Sequence, residues 1–205
     1  MTSEEKLKQE VMCIPTEILF EKGKWDGLKR DNLEEYYKLL LDNHVFIQRG
    51  LAEEDTNYKQ IIPQCILRHN GKYYLHKQVN GTDKRLSNKY PLFLGGHVEK
   101  FPVEQGDIRD MIEIALDIEI HEDAYINANI IGRKFLGLIY IEDGNPVNYV
   151  HVGLAYLYDL DSDEVTIKEK DILEDLGFVD VDYLKEHIDE LTYWSKLIIP
   201  YLQEV

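Results

Sequence analysis

The stretch that decides the fold is Gly95-Gly96-His97-Val98-Glu99-Lys100, together with the acidic segment from Asp110 to Ile120. The double glycine closes a hydrophobic segment. After it, carboxylates alternate with apolar residues in a way that is typical of an amphipathic helix, whose apolar side is predicted to consist of Ile108, Met111, Ile112, Ala115 and Ile118. Residues i and i+4 of a helix lie ~5–6 Å apart at Cβ, so Glu113 and Asp117 can face one cation together. Mg²⁺ takes oxygen ligands, usually one or two carboxylates with phosphates and waters. The stretch therefore predicts a divalent-metal site for a diphosphate.

Patterns on either side of this stretch predict a β-rich middle flanked by helices. The elements do not alternate as they do in doubly wound sheets. We therefore predict an α/β (α+β) fold, in which a mixed sheet lies between helices and residues 1–57 form an N-terminal helical extension packed on a core domain of residues 58–205. The predicted strands are 11–15, 45–47, 60–68, 72–77, 90–94, 127–142 and 147–160, and the predicted helices are 33–43, 108–118, 171–176, 181–188 and 191–202. The turn residues His69-Asn70-Gly71 predict that strands 60–68 and 72–77 form a hairpin.

The overall charge limits the classes of partner. The 205 residues include 23 Lys and Arg against 39 Asp and Glu, for a formal net charge of −16. Such a field repels nucleic-acid backbones and anionic membranes, so we expect neither as a partner. A phosphorylated small molecule stays compatible with it, because a bound Mg²⁺ reverses the local sign of the charge.

Three observations favour a cytoplasmic location. The first ten residues are charged and lack the apolar region of a signal peptide. No apolar run approaches the ~18–20 residues that a membrane-spanning helix needs. Cys13 and Cys65 have no metal-ligand spacing, and we interpret them as buried thiols in a reducing compartment.

The double glycine and the acidic segment resemble the motif of the Nudix superfamily (MutT-like hydrolases), G-x5-E-x7-R-E-U-x-E-E-x-G-U, where U is apolar. The resemblance covers about residues 58–202. It implies a loop–helix–loop after a strand, and hydrolysis of a nucleoside diphosphate linked to another group, with Mg²⁺ or Mn²⁺. Four segments also look like those of a bacterial subgroup described as predicted MutT-type phosphoesterases. These segments are Gln60-Ile61-Ile62-Pro63, Arg85-Leu86, Gly95-Gly96-His97 and Trp194-Ser195.

Two alignments with the motif compete. The preferred one inserts two residues after the double glycine, and it keeps three acids together with Ile114 and Ile120 in phase. The rival alignment places Arg109 and Asp110 on the Arg-Glu pair, Glu113 on the next glutamate and Ile114 on the last carboxylate, and it loses Glu104. The matches of the preferred alignment are Gly96 on the first glycine, Glu104 on the first glutamate, Ile112 on the arginine, Glu113 on its neighbouring glutamate, Leu116 and Asp117 on the glutamate pair, Glu119 on the last glycine and Ile120 on the last apolar position.

The resemblance implies roles for particular residues. Glu113 is the catalytic candidate, as a base or a metal ligand, and Glu104 and Asp117 are further ligands of Mg²⁺ or Mn²⁺. Glu99 is either a ligand or a surface residue of the loop. The candidates for contact with the substrate phosphates are Gly96, His97 and Arg85.

Several of these side chains have plainer interpretations. A structural hydrogen bond is the favoured interpretation of His97, and His151 is interpreted as an ordinary sheet residue. Lys77 could meet phosphate, or it could pair with an acid, and the same holds for Arg85. The acidic segment from Asp159 to Glu174 is interpreted as a solvated loop, with Glu169 or Glu174 as an outside candidate for a late base or ligand.

The sequence leaves the function open between classes. The first hypothesis is a Nudix-type hydrolase acting on a nucleotide or another phosphorylated small molecule. A homodimer is the expected assembly, because homodimers are the commonest soluble oligomers. The second is a degenerate Nudix domain that binds a nucleotide or a protein without turnover, as Ile112, Leu116 and Glu119 suggest. The third is an accessory protein in which residues 1–57 mediate an interaction.

Overall fold

The computed structural model describes residues 3–79, 89–100, 108–168 and 173–204. Within these ranges the strands are β1 (Glu10–Pro15), β2 (Gly27–Lys29), β3 (Val45–Gln48), β4 (Tyr58–His69), β5 (Lys72–Gln78), β6 (Leu94–Gly95), β7 (Ala124–Ile126), β8 (Ile130–Tyr140), β9 (His151–Leu160), β10 (Val165–Ile167) and β11 (Leu173–Val179). The helices are α1 (Ser3–Lys8), α2 (Thr16–Leu19), α3 (Leu33–Asn43), α4 (Arg49–Ala52), α5 (Ile108–Asp123), α6 (Val181–Glu186) and α7 (Tyr193–Ile198), with 3₁₀ turns at Pro146–Val150 and Ile199–Tyr201.

A large mixed sheet flanked by helices confirms the predicted fold class. Nine strands form this sheet, in the order β11-β5-β4-β9-β8-β2, with β1 pairing to β3 and β4 and with β6 pairing to β4. A separate two-stranded sheet joins β10 to β7. Every helix in the part of the chain that the structure describes is too short or too polar to cross a membrane.

Strands occur in residues 1–57 as well as helices. β1 pairs with β3 through Val11↔Ile47 and with β4 through Cys13↔Gln60, both antiparallel. β2 pairs with β8 through Leu28↔Ile139. The N-terminal segment thus supplies sheet strands, while its separation from residues 58–205 as a domain stays a prediction.

The chain divides into two compact units. The first comprises Met1–Gln64, Gly95–Asp117 and Leu136–Ala155, and the second comprises Cys65–Leu94, Ile118–Phe135 and Tyr156–Val205. An aromatic cluster lies in the first unit, where the Trp25 ring packs edge-on against Phe20 and Tyr36 at centroid distances of 5.1 and 5.4 Å. In the second unit Arg68 forms a two-point ion pair with Asp159, with nitrogen–oxygen distances of 2.6 and 3.0 Å. Each unit is therefore organised by interactions of its own.

The helix α3 and the β4–β5 hairpin confirm the sequence predictions. The hairpin turns at Asn70 and Gly71, whose φ values of 48° and 73° suit the left-handed turn that an Asn-Gly pair favours. Asn32 caps α3, but it makes no side-chain capping hydrogen bond. Cys13 and Cys65 are buried and not in disulfides, as predicted.

Several sequence predictions about elements are wrong. Leu173 to Leu176, in the segment predicted as a helix at 171–176, belong instead to strand β11, which pairs with β5 and carries a bulge between Asp175 and Gly177. Cross-strand pairing outweighs a weak helical pattern in such a short segment. The predicted strand at 90–94 contracts to β6, and Tyr90 makes a single parallel bridge to Leu191.

Candidate functional site

The first glycine of the pair, Gly95, is required by the backbone packing of β6 against β4. Gly95 has φ +146°, and a Cβ atom there would lie 2.3 Å from the carbonyl oxygen of Pro63 and 2.6 Å from Cα of Gln64. Both distances are far inside van der Waals contact, so no side chain fits at this position. The Gly96 N–H donates to the same Pro63 carbonyl at 3.2 Å. Gly95 thus has a structural function in joining the loop to the sheet.

Strand β1 holds the other side of this loop. The Met12 N–H donates to the Val98 carbonyl at 2.8 Å, and the Lys100 N–H donates to the Glu10 carbonyl at 2.9 Å. Between these bonds Val11 and Glu99 form an antiparallel bridge. The backbone that carries His97 and Glu99 is therefore fixed between two strands, which limits where their side chains can reach.

Glu99, a candidate metal ligand, has a protein partner in this loop. The Gln9 Nε2 amide donates to Glu99 Oε2 over 2.7 Å, and the Glu99 side chain is half-buried. One carboxylate oxygen is thereby engaged, and a carboxylate has a second oxygen that can accept. Its role as a metal ligand stays a prediction.

Glu113 and Asp117 lie one turn apart in α5, and both are half-buried. At this spacing two side chains share one helix face. Neither is part of the apolar core, and neither is fully solvated. The buried face of α5 carries Met111, Ile112, Ala115 and Leu116, whose exposed fractions are 7%, 0%, 4% and 0%. The outer face carries Ile114 and Ile118, which are 42% and 48% exposed.

This burial pattern removes one of the reasons for preferring the first motif alignment. That alignment needs Ile114 in an apolar, inward position, whereas Ile114 is exposed; Ile120, its last apolar position, is buried as it requires. The sequence prediction that Ile118 belongs to the buried stripe is wrong for the same reason, since Leu116 and Ile120 are buried in its place. The rival alignment puts the buried Met111 at the inward apolar position. Glu113 is a motif glutamate in both alignments.

A cluster of possible metal ligands lies in the first unit and includes none of the carboxylates that the sequence singled out. One oxygen of Glu53 and one ring nitrogen each of His97 and His151 lie within 4.8 Å of one another. The two imidazole rings meet edge to face, with centroids 5.7 Å apart. We call Glu53, His97 and His151 the histidine cluster. It is the group of this kind found among the described residues.

Each member of the histidine cluster comes from a different segment. Glu53 follows α4, His97 lies in the loop after β6, and His151 is the first residue of β9. His151 is buried, and its Nδ1 lies 2.7 Å from the Val147 carbonyl oxygen. The Nε2 atom of His97 is buried and has no hydrogen-bond partner among the described residues. The structural hydrogen bond favoured for His97 is therefore not made through Nε2.

The electrostatics of the cluster keep His97 neutral. Burial is the main cause that holds the pKa of His97 well below its ordinary value, and the charges of Arg49, His151 and Lys6 act in the same direction. A neutral imidazole has a lone pair on one nitrogen and can coordinate a metal. Arg49 also contacts Glu53, with 3.4 Å between Nε and Oε1. The Arg49 guanidinium would therefore compete with a metal ion for the Glu53 carboxylate.

The other candidates divide into two groups. Lys77 pairs with Glu174 between β5 and β11, with 3.7 Å from Nζ to Oε2, which confirms the acid-pairing interpretation of Lys77. Arg85, Glu104 and Glu169 lie outside the described residues. Sequence reasoning missed Glu53, and it interpreted His151 as an ordinary sheet residue. No spacing in the sequence connects positions 53, 97 and 151, because loop and strand contacts bring them together.

Comparison with known structures identifies the architecture as a Nudix-like fold. The crystal structure of Tm1382, a protein provisionally classed as a Nudix hydrolase, has a TM-score of 0.80 and 25% sequence identity, and it covers 96% of this chain and 99% of that chain. MutT from Methanosarcina mazei Go1 has a TM-score of 0.44 and 14% identity over 71% of this chain and 94% of its own, a likeness too remote to carry an argument.

A curated relative is Protein YmaB of Bacillus subtilis (strain 168). The two are 29% identical over 162 residues, and the match covers 77% of this chain and 77% of the relative. No protein-family model matches the chain. The Nudix-like fold implied by the sequence motif is thus shown by structural similarity.

Proposed function

We propose that this protein is a Nudix-type hydrolase that cleaves a diphosphate bond in a nucleoside-diphosphate-linked or similar small molecule with Mg²⁺ or Mn²⁺. One observation carries the proposal. Glu113 and Asp117 lie one turn apart and half-buried on α5, the helix that follows the double-glycine loop of a Nudix-like fold. A fold hosts many functions, so the site and not the fold decides the activity.

The donor set of α5 suits a hard divalent ion. Carboxylate oxygens are the ligands that Mg²⁺ and Mn²⁺ prefer, and Mg²⁺ is held by one or two carboxylates together with substrate phosphates. Glu113 and Asp117 would hold the ion, with Glu104 from the preceding segment. Asp110 precedes Glu113 by three residues in the same helix, and the rival alignment makes it a motif acid. A bound ion neutralises charge on the diphosphate oxygens and lowers the pKa of a water molecule.

Glu113 is the catalytic residue in this proposal, because it alone is a motif glutamate in both alignments. Its carboxylate would accept the proton of the attacking water, or it would hold the ion that lowers the pKa of that water. Leu116 and Ile112 are fully buried, and their side chains belong to the core. The absence of an acid or arginine there therefore does not remove a group from the α5 face.

The phosphates of the substrate need further contacts. Gly96 and Arg85 are the proposed contacts, and the substrate is a nucleotide or another phosphorylated small molecule. A cytoplasmic location and a homodimer are parts of the same proposal that require separate measurement.

The test is metal-dependent turnover of a panel of nucleoside diphosphates linked to sugars, nucleosides and alcohols. We expect turnover with Mg²⁺ or Mn²⁺ that falls about 10²–10⁴-fold in Glu113→Gln, the range of general acid–base contributions. Glu122→Gln is the matched control, because Glu122 is an exposed glutamate of the same helix, half a revolution away. We expect that variant to keep wild-type activity.

Two outcomes would contradict the proposal. The absence of metal-dependent turnover across the panel, with nucleotide binding retained, would favour a binding protein that lacks hydrolysis. Equal losses in Glu113→Gln and Glu122→Gln would point to general damage to the helix and would remove Glu113 from the catalytic role.

A further inference from the structure

We propose that Glu53, His97 and His151 form a binding site for a transition-metal ion of the Zn²⁺ type, with none of the α5 carboxylates among its ligands. The proposal does not depend on hydrolysis. It rests on the positions of three side chains within one compact unit and on the chemistry of their donor atoms.

The donor set matches a borderline ion and not a hard one. Two imidazoles and one carboxylate is a ligand set known from zinc sites with three protein ligands and one open position. Imidazole suits zinc, copper, iron and nickel, whereas carboxylates and water suit Mg²⁺. The histidine cluster therefore selects a different ion from the one that Glu113 and Asp117 would hold.

The ligand atoms are already gathered. All three lie within 4.8 Å of one another, and a tetrahedral ion with bonds of ~2.0–2.1 Å brings its ligands to separations of roughly 3.3 Å. Side-chain rotations that move each ligand atom by about an ångström bring the three atoms to the separations that the ion requires. The backbone under His97 is held by the Gly96–Pro63 and Met12–Val98 hydrogen bonds, so binding does not have to order the loop.

His151 is set in the correct tautomer for coordination. A carbonyl oxygen only accepts hydrogen bonds, so the 2.7 Å contact of Nδ1 with the Val147 carbonyl places the ring proton on Nδ1. The lone pair is then on Nε2. Zinc-binding histidines are commonly oriented by such a bond from the other ring nitrogen.

A buried ring nitrogen of His97 also indicates that a ligand belongs at this site. Its Nε2 is buried without a hydrogen-bond partner among the described residues. A buried polar atom left unsatisfied costs free energy, and native structures contain few of them. Coordination of an ion between His97 and His151 would satisfy this nitrogen.

Arg49 opposes the ion and provides a sharp test. Its Nε lies 3.4 Å from Glu53 Oε1, so the guanidinium shares the carboxylate and adds a positive charge next to the site. Arg49→Gln removes both effects while leaving the three ligands in place. We expect this variant to bind Zn²⁺ several-fold more tightly than the wild type.

The experiment is titration of the full-length, chelator-treated protein with Zn²⁺ by calorimetry, and with Co²⁺ by visible absorption. We expect one ion per chain and a tetrahedral Co²⁺ spectrum. His97→Ala, His151→Ala and Glu53→Gln should each weaken binding by about 100-fold or more, since loss of an outer partner alone costs 10–100-fold. His44→Ala is the matched control, because His44 also contacts a backbone carbonyl through Nδ1, at 2.8 Å, and lies outside the cluster.

Nuclear magnetic resonance of the wild-type histidine side chains keeps the proposal testable if a variant fails to fold. The chain has seven histidines, and Zn²⁺ should shift the ring resonances of His97 and His151 selectively. The proposal fails if no ion binds, if His44→Ala weakens binding as much as His97→Ala does, or if the shifted resonances belong to other histidines. Retention of Zn²⁺ binding in Glu113→Gln separates this result from any failure of the hydrolase proposal.

Discussion

The acidic face of α5, Glu113 with Asp117, and the histidine cluster differ in how the chain assembles them. The first needs a single turn of helix, because residues four apart share a face in any α-helix. The second needs three segments from positions 53, 97 and 151, which meet through strand pairing and loop contacts. The α5 face can thus form with the helix alone, whereas the histidine cluster exists only when its whole unit is folded.

The two groups also differ in the donor atoms that they offer to an ion. The α5 face offers oxygen donors on a half-buried surface, where an ion that keeps its waters and meets phosphate can bind and exchange. The histidine cluster offers two ring nitrogens, one of them buried and unsatisfied among the described residues. The two groups of donors therefore suit different ions, a hard ion on the α5 face and a borderline ion in the histidine cluster.

The largest expected effect concerns the core side of α5. Leu116→Glu would place a carboxylate where the side chain is 0% exposed, and we expect the free energy of unfolding to fall by about 3–5 kcal/mol, as for an uncompensated buried charge. Ile114→Glu is the matched control, since Ile114 is 42% exposed. We expect its stability to change by less than about 0.5 kcal/mol in chemical denaturation. A stable Leu116→Glu variant with increased metal-dependent turnover would restore the first motif alignment.

The second effect concerns the loop that carries His97. Gly95→Ala brings a Cβ atom to 2.3 Å from the Pro63 carbonyl and strains the backbone at φ +146°, so we expect a loss of about 3 kcal/mol in denaturant unfolding. Gly71→Ala has φ +73° and no atom within 4 Å, and it should lose only about 1–2 kcal/mol. Equal losses in the two variants would mean that close packing against β4 adds nothing beyond backbone strain.

The smallest effect distinguishes the two motif alignments. We expect Asp110→Asn to raise the Mg²⁺ concentration for half-maximal turnover by about tenfold, because burial of Met111 favours the alignment in which Asp110 is a motif acid. Asp117→Asn should have an effect of the same size or smaller, since Asp117 lies on the same face without being a motif acid in that alignment. The measurement is turnover against Mg²⁺ concentration. An effect of Asp117→Asn with none from Asp110→Asn would favour the first alignment.

Much of the fold could be predicted because its signals are local. The periodicity of residues 33–43 predicted α3 with both ends correct, and the Asn-Gly turn predicted the β4–β5 hairpin. The α5 helix followed from its apolar spacing, although the spacing misassigned Ile118. A strand such as β11 could not be predicted from its own residues, because pairing with β5 decides its conformation.

The candidate site was accessible to sequence reasoning only where it follows helical spacing. Glu113 and Asp117 were found because four residues make about one turn. Glu53 carries no such signal, since its partners are 44 and 98 positions away and share no pattern with it. Gly96 was singled out for its possible approach to a ligand, whereas the structure explains its neighbour Gly95, where a Cβ atom would collide with the Pro63 carbonyl.

The pairing of β1 has a consequence for synthesis on the ribosome. Its apolar residues Val11 to Ile14 are translated early, whereas the Val98 carbonyl that accepts from Met12 arrives on the order of ten seconds later. During that interval one edge of a hydrophobic strand stays unprotected, and such edges are where nascent chains aggregate. Slower translation between the two positions should therefore increase the demand of this chain for chaperones.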